Sequence, residues 1–510
     1  MAQRSSVPYP IMFVVGGAAL GFFPGLPRVG LEPDLVLVIF LPPLLYAAAF
    51  FTSLRDLRAN VRPISLLAIG LVVTTMVAVA VVAHAVIDGI SWQAAFVLGA
   101  VLSPTDPVAA TAIASRVGAP RRYVTIVEGE ALVNDATALI AFKYATAAVV
   151  TGSFSLTAAS ANFVLGAAGG VAIGLAVGWV IARIREPLDD ATTEISVSLV
   201  TPYLAYLPAE ALGASAVLAA VTSGIYLGWH SPRLINAPTR IQAFAVWRVL
   251  AFVLNSVLFV LVGLTLPAVL DGIAGVDTGS LALYAVVVAL TVMVTRMAWV
   301  FPFTYLPRLL FRRVRERDPS PSWQQPLIVG WTGMRGAVSL AAALAIPLQT
   351  DAGAPFAQRD LIIFLTYAVI FATLVLQGLS LPWLIRRLGI QEDGDGGHEA
   401  QARLAAARAA LRRLDELERE DWVRPETLQR LRGLYDFRVR RFSSRLDEDD
   451  DGEIEAGSQA YQRLRREILE AERGEVVRLR NEGRIDEETM RRIERDLDLE
   501  DTRLEIGPGR

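Results

Sequence analysis

Apolar runs of roughly 17 to 25 residues, each long enough to cross a hydrocarbon core about 30 Å thick, recur from Tyr9 to about Leu384 and then stop. Such runs pack side by side in a membrane as helices, because lipid offers no hydrogen-bond partner to an open strand edge or loop. Twelve runs are counted, at 9–23, 35–51, 64–86, 92–115, 124–150, 163–184, 193–207, 215–229, 246–267, 280–303, 326–347 and 360–384. With 53% apolar and only 19% charged residues in 510, the excess apolar surface has to face lipid. From about Gln391 to Arg510 the composition inverts to Arg, Glu, Asp and Leu. The expected organisation is an all-α polytopic transmembrane domain over 1–390 and a small helical cytoplasmic tail over 391–510.

The loops alternate in charge. Those after runs 2, 4, 6, 8 and 10 hold Arg55, Arg58 and Arg62; Arg116, Arg121 and Arg122; Arg183 and Arg185; Arg233 and Arg240; and Arg308, Arg312, Arg313, Arg315 and Arg317. The other loops hold only Arg28 and Arg359. This positive-inside pattern places both termini in the cytoplasm and the chain in the cell membrane as a multi-pass protein. The net charge of −3 averages a basic-edged membrane part with a mixed tail and suggests no nucleic-acid partner. The absence of cysteine excludes disulfides and thiolate metal sites. No cleavable signal peptide precedes the first run. P-loop, H-E-x-x-H and G-x-S-x-G motifs are also missing, so the sequence supports neither an enzyme nor a bound cofactor, and an ion gradient is the expected energy source.

Two runs are interrupted at mid-membrane depth. Run 4 contains Ser103-Pro104-Thr105-Asp106-Pro107, where each proline removes an N–H and biases the residue before it away from helix. In run 11, Gly330, Gly333 and Gly336 flank Met334-Arg335. The interruptions lie seven runs apart, and an odd offset makes the second copy cross in the opposite direction, which predicts an inverted repeat with two crossed, broken helices. The same offset pairs run 1 with 8, 2 with 9, 3 with 10 and 5 with 12. It leaves run 6 as a linker and run 7 unpartnered, so a helix preceding Tyr9 is expected in the parent reading frame.

Run 5 concentrates ionisable groups, reading Val127-Glu128-Gly129-Glu130-Ala131-Leu132-Val133-Asn134-Asp135. Each costs about 2.5 to 3.5 kcal/mol at membrane depth even on a mild insertion scale, so such groups mark a pathway or a paired network. Asp135 is the deepest and shares a helix face with Ala131 and Glu128. Burial favours the neutral form of a carboxyl group while a hard cation such as Na+ favours the charged form, so proton and cation compete for one site. Asp135 is therefore the expected Na+ ligand, with Asn134 beside it. The alternative, a structural carboxylate held by an arginine, fits Glu130 better, with Arg296 in run 10 as its partner.

At the breaks, half-helix N-termini present bare N–H groups and C-termini bare carbonyls. Asp106 is expected to cap the former and Arg335 to neutralise the latter. Thr105 offers a hydroxyl and a freed carbonyl to a cation, or its hydroxyl satisfies a local backbone group. Lys143, the sole lysine, either neutralises the acidic network or snorkels outward. His84 reads as a packing residue.

These residues resemble the NhaP/NHE-type cation:proton antiporters, a family whose motifs match at Leu41-Pro42-Pro43-Leu44-Leu45, Thr105-Asp106-Pro107, Glu128-Gly129-Glu130 with Asn134-Asp135, and Gly333-Met334-Arg335-Gly336-Ala337. Asn255-Ser256 through Gly263 adds to the likeness, which spans about residues 8 to 388. The resemblance implies a homodimer, a moving core of runs 3–5 and 10–12, ion binding at Asp135, a Glu130–Arg296 pair and thirteen helices. It also implies that the Asn134-Asp135 pairing belongs to an electroneutral branch, where one carboxylate swaps one cation for one proton. Some relatives place a glutamate and a serine where this chain has Ala47 and Ala131, so the choice among Na+, K+ and Li+ stays open. A monovalent cation channel is the alternative from another class, since it uses similar acidic and broken-helix elements but needs a continuous pore.

The tail begins with a Gly/Asp/Glu linker over 391–399, followed by helices expected at about 400–419, 425–445, 458–482 and 485–499, with Leu404, Leu411, Leu414 and Leu417 at helical spacing. Asp447, Asp449, Asp451, Gly452 and Ile454 fit the opening of a calcium loop. Position twelve of that loop is Ser458 instead of glutamate, which favours a solvated acidic loop.

Overall fold

A computed structural model of the chain describes residues 9–23, 33–107, 110–111, 121–152, 156–273, 275–318, 320–389, 395–447 and 453–505. They form two compact units, 1–392 and 393–510. Over their described residues all twelve apolar runs carry helix. These are α1 (Tyr9–Gly21), α2 (Pro33–Phe51), α3 (Val61–Val86), α4 (Trp92–Leu102), α5 (Arg121–Thr151), α6 (Leu156–Arg185), α7 (Ala191–Ala211), α8 (Ala216–Leu234), α9 (Ala237–Gly272) and α10 (Thr278–Leu310). The eleventh run is split into α11 (Gln324–Trp331) and α12 (Ala337–Leu344), and the last is α13 (Arg359–Arg387). No strand occurs among the described residues beyond one isolated bridge, Gln349 to Pro355.

Short polar residues set where helices begin. Ser91, Asp190, Ser215, Asn236 and Asp277 each accept a hydrogen bond from the N–H three residues on, supplying a partner that the first turn lacks. Asn236 explains why α9 starts nine residues ahead of its apolar run: the cap, not hydropathy, decides the start. Inside α2, Pro43 cannot donate to the carbonyl of Ile39, and the Tyr203 hydroxyl of α7 donates to that oxygen instead, at 3.0 Å. In α3 the turn Leu66–Leu71 is widened to a π-helix. The indole N–H of Trp299, on α10, donates to the Leu66 carbonyl there at 3.2 Å, and a Cβ on Gly70 would run into the Trp299 ring.

Close backbone packing joins α1 to α9. A Cβ on Gly17 would collide with the carbonyl of Val260, and one on Gly263 with the backbone of Val14 and Ala18. Gly263→Ala is therefore expected to cost about 1–3 kcal/mol by overpacking, read as a lower melting temperature in detergent; an unchanged melting point would show that the two helices can separate freely. Lys143 points away from the acidic network and lies 3.7 Å from Glu210, both more than half exposed, so it snorkels. His84 stacks on Trp92 with ring centroids 4.1 Å apart and packs as read.

In the second unit, α14 (Asp395–Leu417) packs on α15 (Pro425–Ser444) and α16 (Glu453–Asn481) on α17 (Glu487–Glu505). Leu404 is buried and Leu411, Leu414 and Leu417 are half-buried, forming the helical stripe. Glu455 accepts hydrogen bonds from Arg441 at 2.9 Å and Arg445 at 2.7 Å. Those from Arg441 in particular hold its carboxyl below the ordinary range. Asp449, Asp451 and Gly452 of the calcium-loop reading lie outside the described residues, as do Arg28 and Arg116 of the loop charges.

Candidate ion-binding site

The two interruptions touch each other. Residues 103–106 leave the helix after α4, and the freed N–H of Asp106 donates to the carbonyl of Met334, at 2.8 Å, inside the second break. The Asp106 carboxylate accepts from the N–H of Ala337, the first residue of α12, at 3.4 Å. In the opposite sense, Arg335 sends its Nε to the carbonyl of Leu102, the last residue of α4, at 3.0 Å, and Nη1 to its neighbour Gly333. Its own N–H donates to Thr373 Oγ1 of α13 at 3.1 Å. Thus an anion lies at the N-terminal end of one half-helix and a cation at the C-terminal end of another, which suits the end charges of helices. Glycine is required at 336 because any Cβ there would overlap the Asp106 carboxylate.

Helical spacing on α5 sorts its acidic residues. Glu130 and Asn134, four apart, turn toward the breaks, and both are 1% exposed. Glu130 receives both Nη groups of Arg296: Nη1 meets Oε1, and Nη2 meets Oε2 at 2.8 Å. Arg296 is 0% exposed and sends its Nε to the Val329 carbonyl of α11 at 3.1 Å. Two charges this deep persist only when paired and hydrogen-bonded. The network continues through Thr105, whose hydroxyl donates to Glu130 Oε1 at 3.1 Å and accepts from Asn134 Nδ2 at 2.7 Å. With its proton so engaged, Thr105 has only its remaining lone pair and its backbone carbonyl to give to an ion.

Asp135, on the next face, lines a cavity of about 510 Å³ together with Glu128, Ala131, Thr105 and Asp106. The opposite wall is built by α2 from Leu44 to Phe51 and by α9 from Phe244 to Asn255. Asp135 is 6% exposed, and its Oδ1 has no hydrogen-bond partner among the described residues; nor has Asn134 Oδ1. Glu128 lines the same cavity two turns nearer the arginine-bearing end of α5, and is only half-buried. Ala47 and Ala131 both reach the cavity wall and bring no oxygen to it.

Three features escaped the sequence reading. Asn255, named above only for the family likeness, and Ser339 stand on the cavity wall, and nothing in linear spacing ties these two positions to Asp135. Arg185, counted above among loop charges, is instead buried in an ion pair with Glu194 at 3.4 Å, both side chains 2% exposed or less. The signal was available: Glu194 is an acid nine residues on, inside an apolar run, and it needs a partner.

A family model described as the transmembrane sodium/hydrogen exchanger matches residues 1–387. An uncharacterised Na+/H+ exchanger of Mycobacterium tuberculosis is 37% identical over 99% of this chain and 93% of its own length. A sodium, potassium, lithium and rubidium/H+ antiporter of Bacillus pumilus is 36% identical over 81% of this chain and 63% of its own. Among solved structures, a sodium proton antiporter of Methanocaldococcus jannaschii superposes with a TM-score of 0.60 at 19% identity, covering 74% of this chain and 94% of that one.

Proposed function

The chain belongs to the sodium/hydrogen exchanger family, and from that premise we propose that it is a secondary antiporter exchanging Na+ for H+ across the cell membrane, with Asp135 as the group for which the two compete. The observation that carries this reading is the bare oxygen of Asp135, buried on the wall of a cavity, while the neighbouring Glu130 has both oxygens taken by Arg296. Asp106 is likewise engaged, at the N–H of Ala337. Among the described residues that line the cavity, that leaves Asp135 as the buried carboxylate to trade one proton for one cation, an exchange that is electroneutral. Asn134, positioned through Thr105, keeps its carbonyl oxygen for the ion; Asp106 and Arg335 hold the two breaks in register.

In keeping with the arginine-rich loops, both termini and the 391–510 tail are proposed to lie in the cytoplasm; Thr52 and Arg248 are among the residues lining the cavity. Residues 1–390 are the proposed antiporter domain, and a homodimer is proposed on the strength of the family resemblance. K+ and Li+ stand as further substrates, in keeping with the name of the Bacillus relative. Membership in a family of exchangers sets the channel alternative aside. Everted vesicles loaded with a pH-sensitive dye should show dequenching on addition of Na+, with a rate unaffected by clamping the membrane voltage. Cation flux without proton movement would overturn the reading, and a rate set by voltage would overturn the one-for-one exchange.

A further inference from the structure

We infer that Ser339 is a ligand of the transported cation, supplying from α12 the side-chain oxygen that Ala47 and Ala131 do not. The inference rests on the exchange reading of this cavity and adds a residue to it. Among the described residues, two buried side-chain polar atoms that lack a hydrogen-bond partner belong to residues lining the cavity: Asp135 Oδ1 and Ser339 Oγ. Ser339 is 1% exposed, so its hydroxyl has no bulk water to fall back on. An oxygen in that position costs stability unless something completes it.

The break itself explains why the hydroxyl is bare. A serine in a helix normally donates to the carbonyl three or four residues back, as Ser103 does to Gly99 at 2.7 Å. For Ser339 those residues are Gly336 and Arg335, which precede α12 and lie outside the helix. The Gly336 carbonyl is already taken by the Leu340 N–H at 3.3 Å, and Ser339 Oγ bonds to neither, which leaves the oxygen to the cavity. Hard cations are held by several oxygens; of the side-chain oxygens that line the cavity, Asp106 is engaged by the Ala337 N–H and Glu128 is only half-buried, so Asp135, the remaining lone pair of Thr105 and Ser339 are those near the two interruptions. Ligands from α5, from the first break and from α12 would then surround the ion on the side of the two interruptions, facing the apolar wall of α2.

The test measures exchange in everted vesicles as a function of Na+, K+ and Li+ for the wild type, Ser339→Ala, Ser339→Thr and the double variant Ala131→Ser with Ser339→Ala. Loss of one ligand to a charged group should raise the KM for Na+ about tenfold, with the deficit in KM rather than kcat and with the order of preference among the three ions altered. Ser339→Thr, which keeps the hydroxyl, should retain the wild-type order. Ala131→Ser, which puts a hydroxyl one turn from Asp135 on the same face, should recover part of the affinity. A melting temperature in detergent equal to the wild type would separate ligation from a structural effect. Wild-type KM and ion order in Ser339→Ala would overturn the inference while leaving the exchange reading intact; a wild type that moves no protons on addition of any of the three ions would remove both.

Discussion

Asp135→Asn is expected to reduce Na+-dependent proton movement to the level of empty vesicles while leaving the protein folded. The amide has the size of the carboxylate, and Asp135 Oδ1 makes no hydrogen bond among the described residues, so the amide can take its place without breaking one there. What disappears is the ability to release a proton and to hold a cation by charge. If proton and cation share that single group, both half-reactions stop together. Wild-type-like pH recovery in this variant, at any Na+ concentration, would sink the competition mechanism. A folded species that elutes with the wild type in size exclusion would show that the loss is chemical.

The second large effect falls on stability. Arg296→Ala leaves the Glu130 carboxylate at 1% exposure with, among the described residues, the Thr105 hydroxyl as its remaining side-chain donor. Breaking one side of a buried pair typically costs about 3–5 kcal/mol, because the surviving charge is stranded. The melting temperature in detergent should therefore fall sharply, and Glu130→Gln should lower it less, since the amide still accepts a hydrogen bond. Replacing both, with Glu130→Gln and Arg296→Met, should restore part of the loss, because no unpaired charge remains. Single variants that melt with the wild type would mean that the pair does not hold α5, α10 and α11 together.

Much of the architecture could be read from residue order. Run length placed the helices, and Pro104, Pro107, Gly333 and Gly336 marked both interruptions, because backbone defects are written locally. The partner of Glu130 was also legible, since Arg296 is a deep cation in need of a counter-charge. Helix starts were less so: α9 begins on a polar stretch governed by Asn236, which no apolar count reveals. Least legible were contacts between distant runs. Ser339 and Asn255 reach the Asp135 cavity only through the way α9 and α12 pack, and Arg185 looked like a loop arginine because its partner Glu194 lies beyond a turn.

The widened turn in α3 has a bearing on how this chain can change over generations. A π-turn is an α-helix carrying one surplus residue, and each residue in a helix turns the chain by about 100°. Deleting any one of Leu66 to Leu71 would restore regular winding and leave the faces on either side where they are, because the widened turn is what absorbs the surplus residue. Trp299, more than two hundred positions away, occupies the carbonyl that the surplus residue leaves over. Length at one site and side-chain identity at the other thus meet in a single hydrogen bond, whose carbonyl regular winding would offer back to the helix's own N–H.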